Sequence, residues 1–234
     1  MIVQSRAKIF LGDEHGLVET TSFRNRTLFN YDGQYNEHRE PFERFYLLND
    51  YTLDGGASVQ VDFSEDSFVL LLPVVGAVQY RNGKKKEQLV VAGQSMMLMK
   101  KAGERIELAN VFEEELVNVL VLAFKTDDDQ VPSGFIHSYD VNEKPSALVS
   151  AVSKRYELPA LLSVGKFSGR DETVYHTEQA FANVFVFVLE GAFEVEGRLL
   201  HARDGLALWQ ATSVEMEALS NDALVMVVEM ETNV

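Results

Sequence analysis

The 234-residue sequence contains no cysteine. Disulfides, thiolate nucleophiles, iron–sulfur clusters and cysteine-held zinc are thereby excluded, and a reducing compartment is permitted. Basic charge is scarce as well: 21 Lys and Arg against 36 Asp and Glu leave a formal net charge of −15. Nucleic-acid affinity rests on clustered cations that displace counterions from the phosphate backbone, so this balance argues against a DNA or RNA partner. The one compact basic run, Lys84-Lys85-Lys86, follows Asn82-Gly83 and reads as a solvated hairpin loop. Long hydrophobic runs are missing too. No segment approaches the roughly 20 apolar residues of a membrane span, and no signal-peptide pattern opens the chain, so a cytoplasmic protein without a membrane partner is expected. Among catalytic signatures, there is no Gly-x-Ser-x-Gly elbow, no P-loop and no Gly-x-Gly-x-x-Gly after a strand.

What is present is a succession of short apolar blocks rich in Val, Leu and Phe. Ser58–Phe63, Phe68–Val75, Leu116–Phe124, Val184–Leu189 and Ala223–Met230 are separated by Gly, Asn-Gly and acidic turns. Blocks of this length with such punctuation predict strands, and those apolar at nearly every position predict strands covered on both faces. One stretch, Ser146–Tyr156, predicts a helix: Ser146 is a candidate cap, and Leu148, Val149, Val152 and Tyr156 recur at helical spacing. The acidic segment Asp127–Gly134 ahead of it, with Pro132 and Gly134, reads as a linker.

The sequence also repeats itself. Val69–Val78 (VLLLPVVGAV) and Val184–Phe193 (VFVFVLEGAF) lie 115 residues apart, with Gly76 over Gly191 and Ala77 over Ala192. Each copy continues into a second strand, a tight turn (Asn82-Gly83; Glu196-Gly197) and a further glycine (Gly93; Gly205). A strand–Gly–strand–turn–strand unit that occurs twice predicts two similar β domains, and a glycine between apolar strands suits the bends of a rolled sheet.

Set against the cupin pattern, these features fall into a frame. Gly56 is followed after five residues by Asp62, Phe63 and Ser64, after four more by Val69 and after six by Gly76, at the spacing of the first cupin motif. Gly93 leads through Lys101-Ala102-Gly103 to Ile106 and Asn110, at the spacing of the second. Phe45-Tyr46-Leu47-Leu48-Asn49-Asp50 resembles the pirin-like entry to a first barrel, and Val188–Gly191, Asp204–Trp209 and Leu224–Met230 resemble that family's second barrel. The chain is therefore identified as a member of the pirin-like bicupin family. The resemblance implies an all-β fold of two double-stranded β-helix (jelly-roll) barrels. Residues 1–130 would form the N-terminal barrel, 131–158 a linker with a short helix and 159–234 the C-terminal barrel.

In that family the first barrel holds an iron-type metal through three His and one Glu, and some members are associated with quercetin dioxygenase activity. In this chain the corresponding positions are Asp62, Ser64, Val69 and Ile106, with Leu108 in place of Ile106 and Asn110 in the Glu position if the pirin-type offset applies. One carboxylate, a hydroxyl and apolar neighbours make a poor set of metal ligands, so no cofactor is expected there. The same residues with Tyr80 define a candidate small-molecule pocket. His176 and Glu178, at alternate-residue spacing, together with His201 form a less favoured metal site in the second barrel. His15 and His38 sit in polar N-terminal segments and read as surface residues, His137 has no second ligand at metal spacing, and Trp209 and the Met96-Met97-Leu98-Met99 run read as core.

Three readings follow. The first is a metal-free bicupin acting as a small-molecule-binding or regulatory module. The second is a metal-dependent dioxygenase of the pirin or quercetinase type with relocated ligands. The third is an acidic protein–protein adaptor.

Overall fold

In the computed structural model, residues 6–30, 35–82, 87–127 and 133–230 are described. The Lys84-Lys85-Lys86 run and most of the Asp127–Gly134 segment lie outside them. In chain order the strands are β1 (Ala7–Phe10), β2 (Gly16–Glu19), β3 (Phe23–Thr27), β4 (Phe45–Leu53), β5 (Ser58–Asp62), β6 (Ser67–Val75) and β7 (Ala77–Arg81). Next come β8 (Gln88–Val91), β9 (Gln94–Lys100), β10 (Arg105–Asn110), β11 (Val117–Lys125), β12 (Phe135–Ser138), β13 (Leu148–Ser150) and β14 (Ala160–Phe167). The last are β15 (Glu172–His176), β16 (Ala182–Glu190), β17 (Ala192–Val195), β18 (Arg198–His201), β19 (Gly205–Ala211), β20 (Ser213–Ala218) and β21 (Ala223–Met230).

The chain divides into two compact units. The first comprises His15–Ser138 with Arg155–Glu157; the second takes the chain up to Glu14, Tyr139–Lys154 and everything from Leu158 onward. The first unit has a seven-stranded sheet, β12-β9-β6-β11-β4-β3-β2, and a four-stranded sheet, β5-β10-β7-β8. The second has a six-stranded sheet, β1-β19-β16-β21-β14-β13, and a four-stranded sheet, β15-β20-β17-β18. In each unit the inward residues of both sheets form one apolar cluster, and this is the jelly-roll architecture of a cupin barrel. Among the described residues, no helix is long and apolar enough to cross a membrane.

The residue pattern decides which sheet each strand joins. β11 and β16 are each buried at every position but the last, because near-continuous Val, Leu and Phe leave no solvent face. β5 alternates exposed and buried along SVQVD, and β20 keeps Val214, Met216 and Ala218 inside. Such alternation fits a sheet with one wet face. The two copies of the repeat bend at the same point: Gly76 and Gly191 both have φ of +77°, a left-handed conformation that favours glycine. The downstream copies differ, since Gly93 has φ +84° whereas its counterpart turn uses Arg203 at φ +73°. Gly205 instead lies in β19, where an added Cβ would come within 2.5 Å of the Phe185 ring.

Three expectations are corrected. Ser146–Tyr156 is not a helix: Leu148, Val149 and Ser150 pair with Gly165, Val164 and Ser163 of β14. Ser146 sits at φ +56° and its hydroxyl donates to Asp171, so it does not take the extended conformation of a helix cap. Spacing of apolar residues cannot separate a helical turn from a short paired strand in so brief a segment. Ala7–Phe10 pairs with Leu208–Gly205 of β19, which places the start of the chain in the second unit rather than the first. Trp209 is half-buried beneath the Arg6 guanidinium, 4.4 Å from the ring centroid, at the edge of the core rather than in it.

Candidate functional site

The positions where cupin motifs converge lie on β5, β6 and β10 of the first unit. Antiparallel pairing sets Val61 opposite Ile106 and Val59 opposite Leu108, with Tyr80 of β7 on the other flank of Leu108. Val61, Phe63, Val69, Tyr80, Ile106 and Leu108 all belong to the apolar cluster, each 5% exposed or less. Burial pushes the Tyr80 hydroxyl above its ordinary pKa, with the nearby Glu104 carboxylate adding to the effect.

Asp62 and Ser64 do not join them. Both are exposed, and the Asp62 carboxylate accepts a hydrogen bond from Arg105 Nε at 2.9 Å on the outer face. A frame counted from Gly56 is one residue out; counted from Gly55 it places Val61 and Phe63 at the two histidine positions. A one-residue slip turns every side chain of a strand to the opposite face. The adjacent pair Gly55-Gly56 permits both counts, and the signal that separates them is the alternation Val59, Val61, Phe63 against Gln60, Asp62, Ser64.

Asn110 is buried, and its side-chain amide is taken up by the turn beside it. Its Nδ2 donates to the carbonyls of Leu53, Asp54 and Glu115 at 3.2, 2.9 and 2.7 Å, and its Oδ1 accepts from the Phe112 amide at 2.9 Å. Side chain and backbone together clasp the turn between β10 and β11.

The proposed triad of the second unit is dispersed. His176 ends β15 and His201 ends β18, and these are the two outermost strands of their sheet, with β20 and β17 between. Three strand steps of about 4.8 Å, and an offset along β20 from Ser213 to beyond Ala218 at about 3.3 Å per residue, put them more than about 20 Å apart. Glu178 pairs with Lys154. Among the described residues, no group of three or more His, Asp or Glu is arranged to hold a metal ion.

A buried carboxylate that sequence reasoning passed over is Glu229, only 3% exposed on β21. Its oxygens accept the Tyr175 hydroxyl at 2.6 Å and the amides of Glu178 and Gln179 at 3.0 Å each. Three donors offset the cost of burying the charge, and the Tyr175 hydroxyl is pushed well above its ordinary pKa by burial and by Glu229. The carboxylate anchors the segment after β15. The only hint in sequence was one acid inside an otherwise apolar terminal strand.

On the outer face of the same unit, Glu172, Glu194, Glu196, Glu215 and Glu217 border an open cleft with Val174 and Thr173. Glu217 is paired with Arg170 at 3.0 Å, and Glu196 accepts the Glu215 amide at 2.8 Å.

Residues 159–230 match the family profile of the quercetinase C-terminal cupin domain. No curated protein sequence matches the chain at a significant level. Among solved structures, the chain resembles YhhW from Escherichia coli with a TM-score of 0.83 at 15% identity, covering 97% of this chain and 99% of that one. The same bacterial pirin has been solved in complex with nickel(II), and that structure matches with a TM-score of 0.81. A quercetin 2,3-dioxygenase from Acinetobacter baumannii matches with a TM-score of 0.69 at 13% identity, over 96% of this chain and 79% of that one. Likeness at these identities is likeness of fold.

Proposed function

From a pirin-like bicupin fold whose second barrel belongs to the quercetinase C-terminal cupin family, we propose that this chain is a member without the metal site, working as a binding or regulatory module. One observation carries the reading. The inward positions of the motif strands are Val61, Phe63, Val69, Ile106 and Leu108, each at most 1% exposed. A divalent metal of the iron type takes imidazole and carboxylate ligands with open positions for substrate. Hydrocarbon side chains supply no lone pair, and Phe63 occupies space where a ligand atom would have to reach. The residues present do not fit the group.

The reading also moves away from a pocket oriented by Asp62 and Ser64, because both side chains face water. Recognition by the outer surface becomes the better-supported form of the module. Elemental analysis after loading with iron or manganese tests the loss of the metal. Well under one metal per chain is the expected result; close to one, removed by a substitution inside the first barrel, would overturn it.

A further inference from the structure

The turn between β10 and β11 runs Val111-Phe112-Glu113-Glu114-Glu115-Leu116. It exposes three large apolar side chains, Val111 at 42%, Phe112 at 38% and Leu116 at 55%, and Val75 at the end of β6 adds a fourth at 50%. Phe112 and Val117 both lie against Gly76, the chain neighbour of Val75, so the apolar surface gathers at one end of the first barrel. Three exposed glutamates rim it. None of the three carboxylates has an ion-pair partner among the described residues.

A turn of solvated glutamates needs no such scaffold, yet this one is held rigidly. Asn110 clasps it with four hydrogen bonds. The Gly56 amide donates to the Phe112 carbonyl at 2.7 Å. The backbone at Glu113 lies so close over Gly55 that an added Cβ there would sit 2.0 Å from the Glu113 oxygen. A preformed surface loses little conformational entropy on binding, and contiguous apolar side chains with a polar rim are the usual composition of a docking patch.

We infer that the Val111–Leu116 turn, with Val75, is a docking surface for a basic segment of a partner protein, one that carries apolar side chains between its lysines or arginines. The charge complement selects this occupant. A second copy of the chain, meeting the patch through a two-fold axis, would set Glu113–Glu115 against their own equivalents, and like charges so placed repel. Four part-exposed side chains also fall well short of the ~800 Å² per partner that a stable interface covers. The proposal supplies a partner class for the surface-acting module above and rests on that reading only in part, since it stands or falls separately from the metal content of the barrel.

The test uses the full chain and a short fluorescein-labelled peptide of alternating leucine and lysine, with a leucine–glutamate peptide as its opposite. Fluorescence anisotropy should show binding of the lysine peptide alone, weakening as salt is raised. Phe112→Ser with Leu116→Ser, and separately Glu113→Gln, Glu114→Gln and Glu115→Gln together, should each weaken binding at least about tenfold. The same neutralisation at Glu172, Glu194 and Glu215 should leave most of it in place. Unchanged far-UV circular dichroism in the variants secures their fold. Equal binding of the two peptides, or a loss caused by the Glu172/Glu194/Glu215 variant and not by the turn variants, overturns the proposal. So does sedimentation that shows a dimer abolished by Phe112→Ser with Leu116→Ser, which would make a second copy the occupant.

Discussion

In the four-stranded sheet of the first unit, the outward row across β5, β10 and β7 reads Gln60, Glu107, Arg81. In the second unit the row across β15, β20 and β17 reads Glu172, Glu217, Glu194. The first row is complementary, with Arg81 Nη1 2.9 Å from Glu107 Oε1. The second places three carboxylates side by side, with one exposed arginine, Arg170, pairing the central one. The turns that follow diverge in the opposite sense. Val111–Leu116 presents apolar side chains, whereas in the second unit Ser220 Oγ accepts the Ala192 amide at 3.1 Å and Asn221 Oδ1 accepts the Gly169 amide at 3.0 Å. Both interiors are closely similar apolar cores. The difference teaches that the repeat is constrained inside, where volume and register must agree, and free outside, where the two barrels have acquired separate surfaces.

The largest expected effect comes from the turns. Asn110→Ala removes two N–H donors and one acceptor oxygen that together make four hydrogen bonds, and should cost about 3 kcal/mol at about 1 kcal/mol per group, against less than about 1 kcal/mol for Asn221→Ala. Urea unfolding followed by circular dichroism reports both units. Emission of Trp209, the single tryptophan, reports the second. A loss seen equally by both probes for Asn110→Ala would mean the two units do not unfold separately.

The inner carboxylate of β21 has no counterpart in β11, whose residues VNVLVLAFK carry no acid. Glu229→Gln keeps the shape but replaces one acceptor oxygen with an NH2 group that faces at least one of the three donors, and about 2 kcal/mol of lost stability is expected, read from the Trp209 transition. A neutral outcome would show that the segment after β15 does not depend on this carboxylate.

The charged rows give smaller changes. Glu194→Lys should stabilise the second unit by about 0.5 kcal/mol in dilute buffer, and Arg81→Glu should destabilise the first by a similar amount, both effects shrinking as salt is added. Insensitivity of the melting point to either exchange would remove the contrast between the two faces.

The smallest effect concerns two turn carboxylates, one in each unit. Asp66 is held below the usual 3.8 by the Ala102 amide and Lys101, and Asp171 by the Ser146 hydroxyl and the Ser168 amide. A depressed folded pKa stabilises above the unfolded value and is lost as the pH falls through the folded one. The Ala102 and Ser168 amide resonances should therefore titrate with midpoints below 3.8. Midpoints at or above 3.8 would contradict the depression.

Much of this was readable in advance. The repeat, the turn glycines Gly76 and Gly191 and the strand Ala223–Met230 follow from local rules, because period-two burial and positive-φ turns are written in adjacent residues. The site was read less well. The pair Gly55-Gly56 allowed two frames, and only the burial of Val61 and Phe63 chose between them. His176 and His201 looked close along the chain, yet two intervening strands part them. Asn110 looked like a ligand position, and its bonds to Leu53 and Asp54 depend on residues more than fifty positions earlier.

The sequence by itself determined that the chain is all-β and built twice on one plan, since composition and spacing do not depend on how distant segments meet. Only the tertiary structure decided which face of β5 looks inward, that Ala7–Phe10 completes the second barrel, and that Val111–Leu116 stands clasped and exposed at the end of the first. These outcomes rest on pairings between residues far apart in the chain, and side-chain direction in a strand is set by the partner and the core it meets.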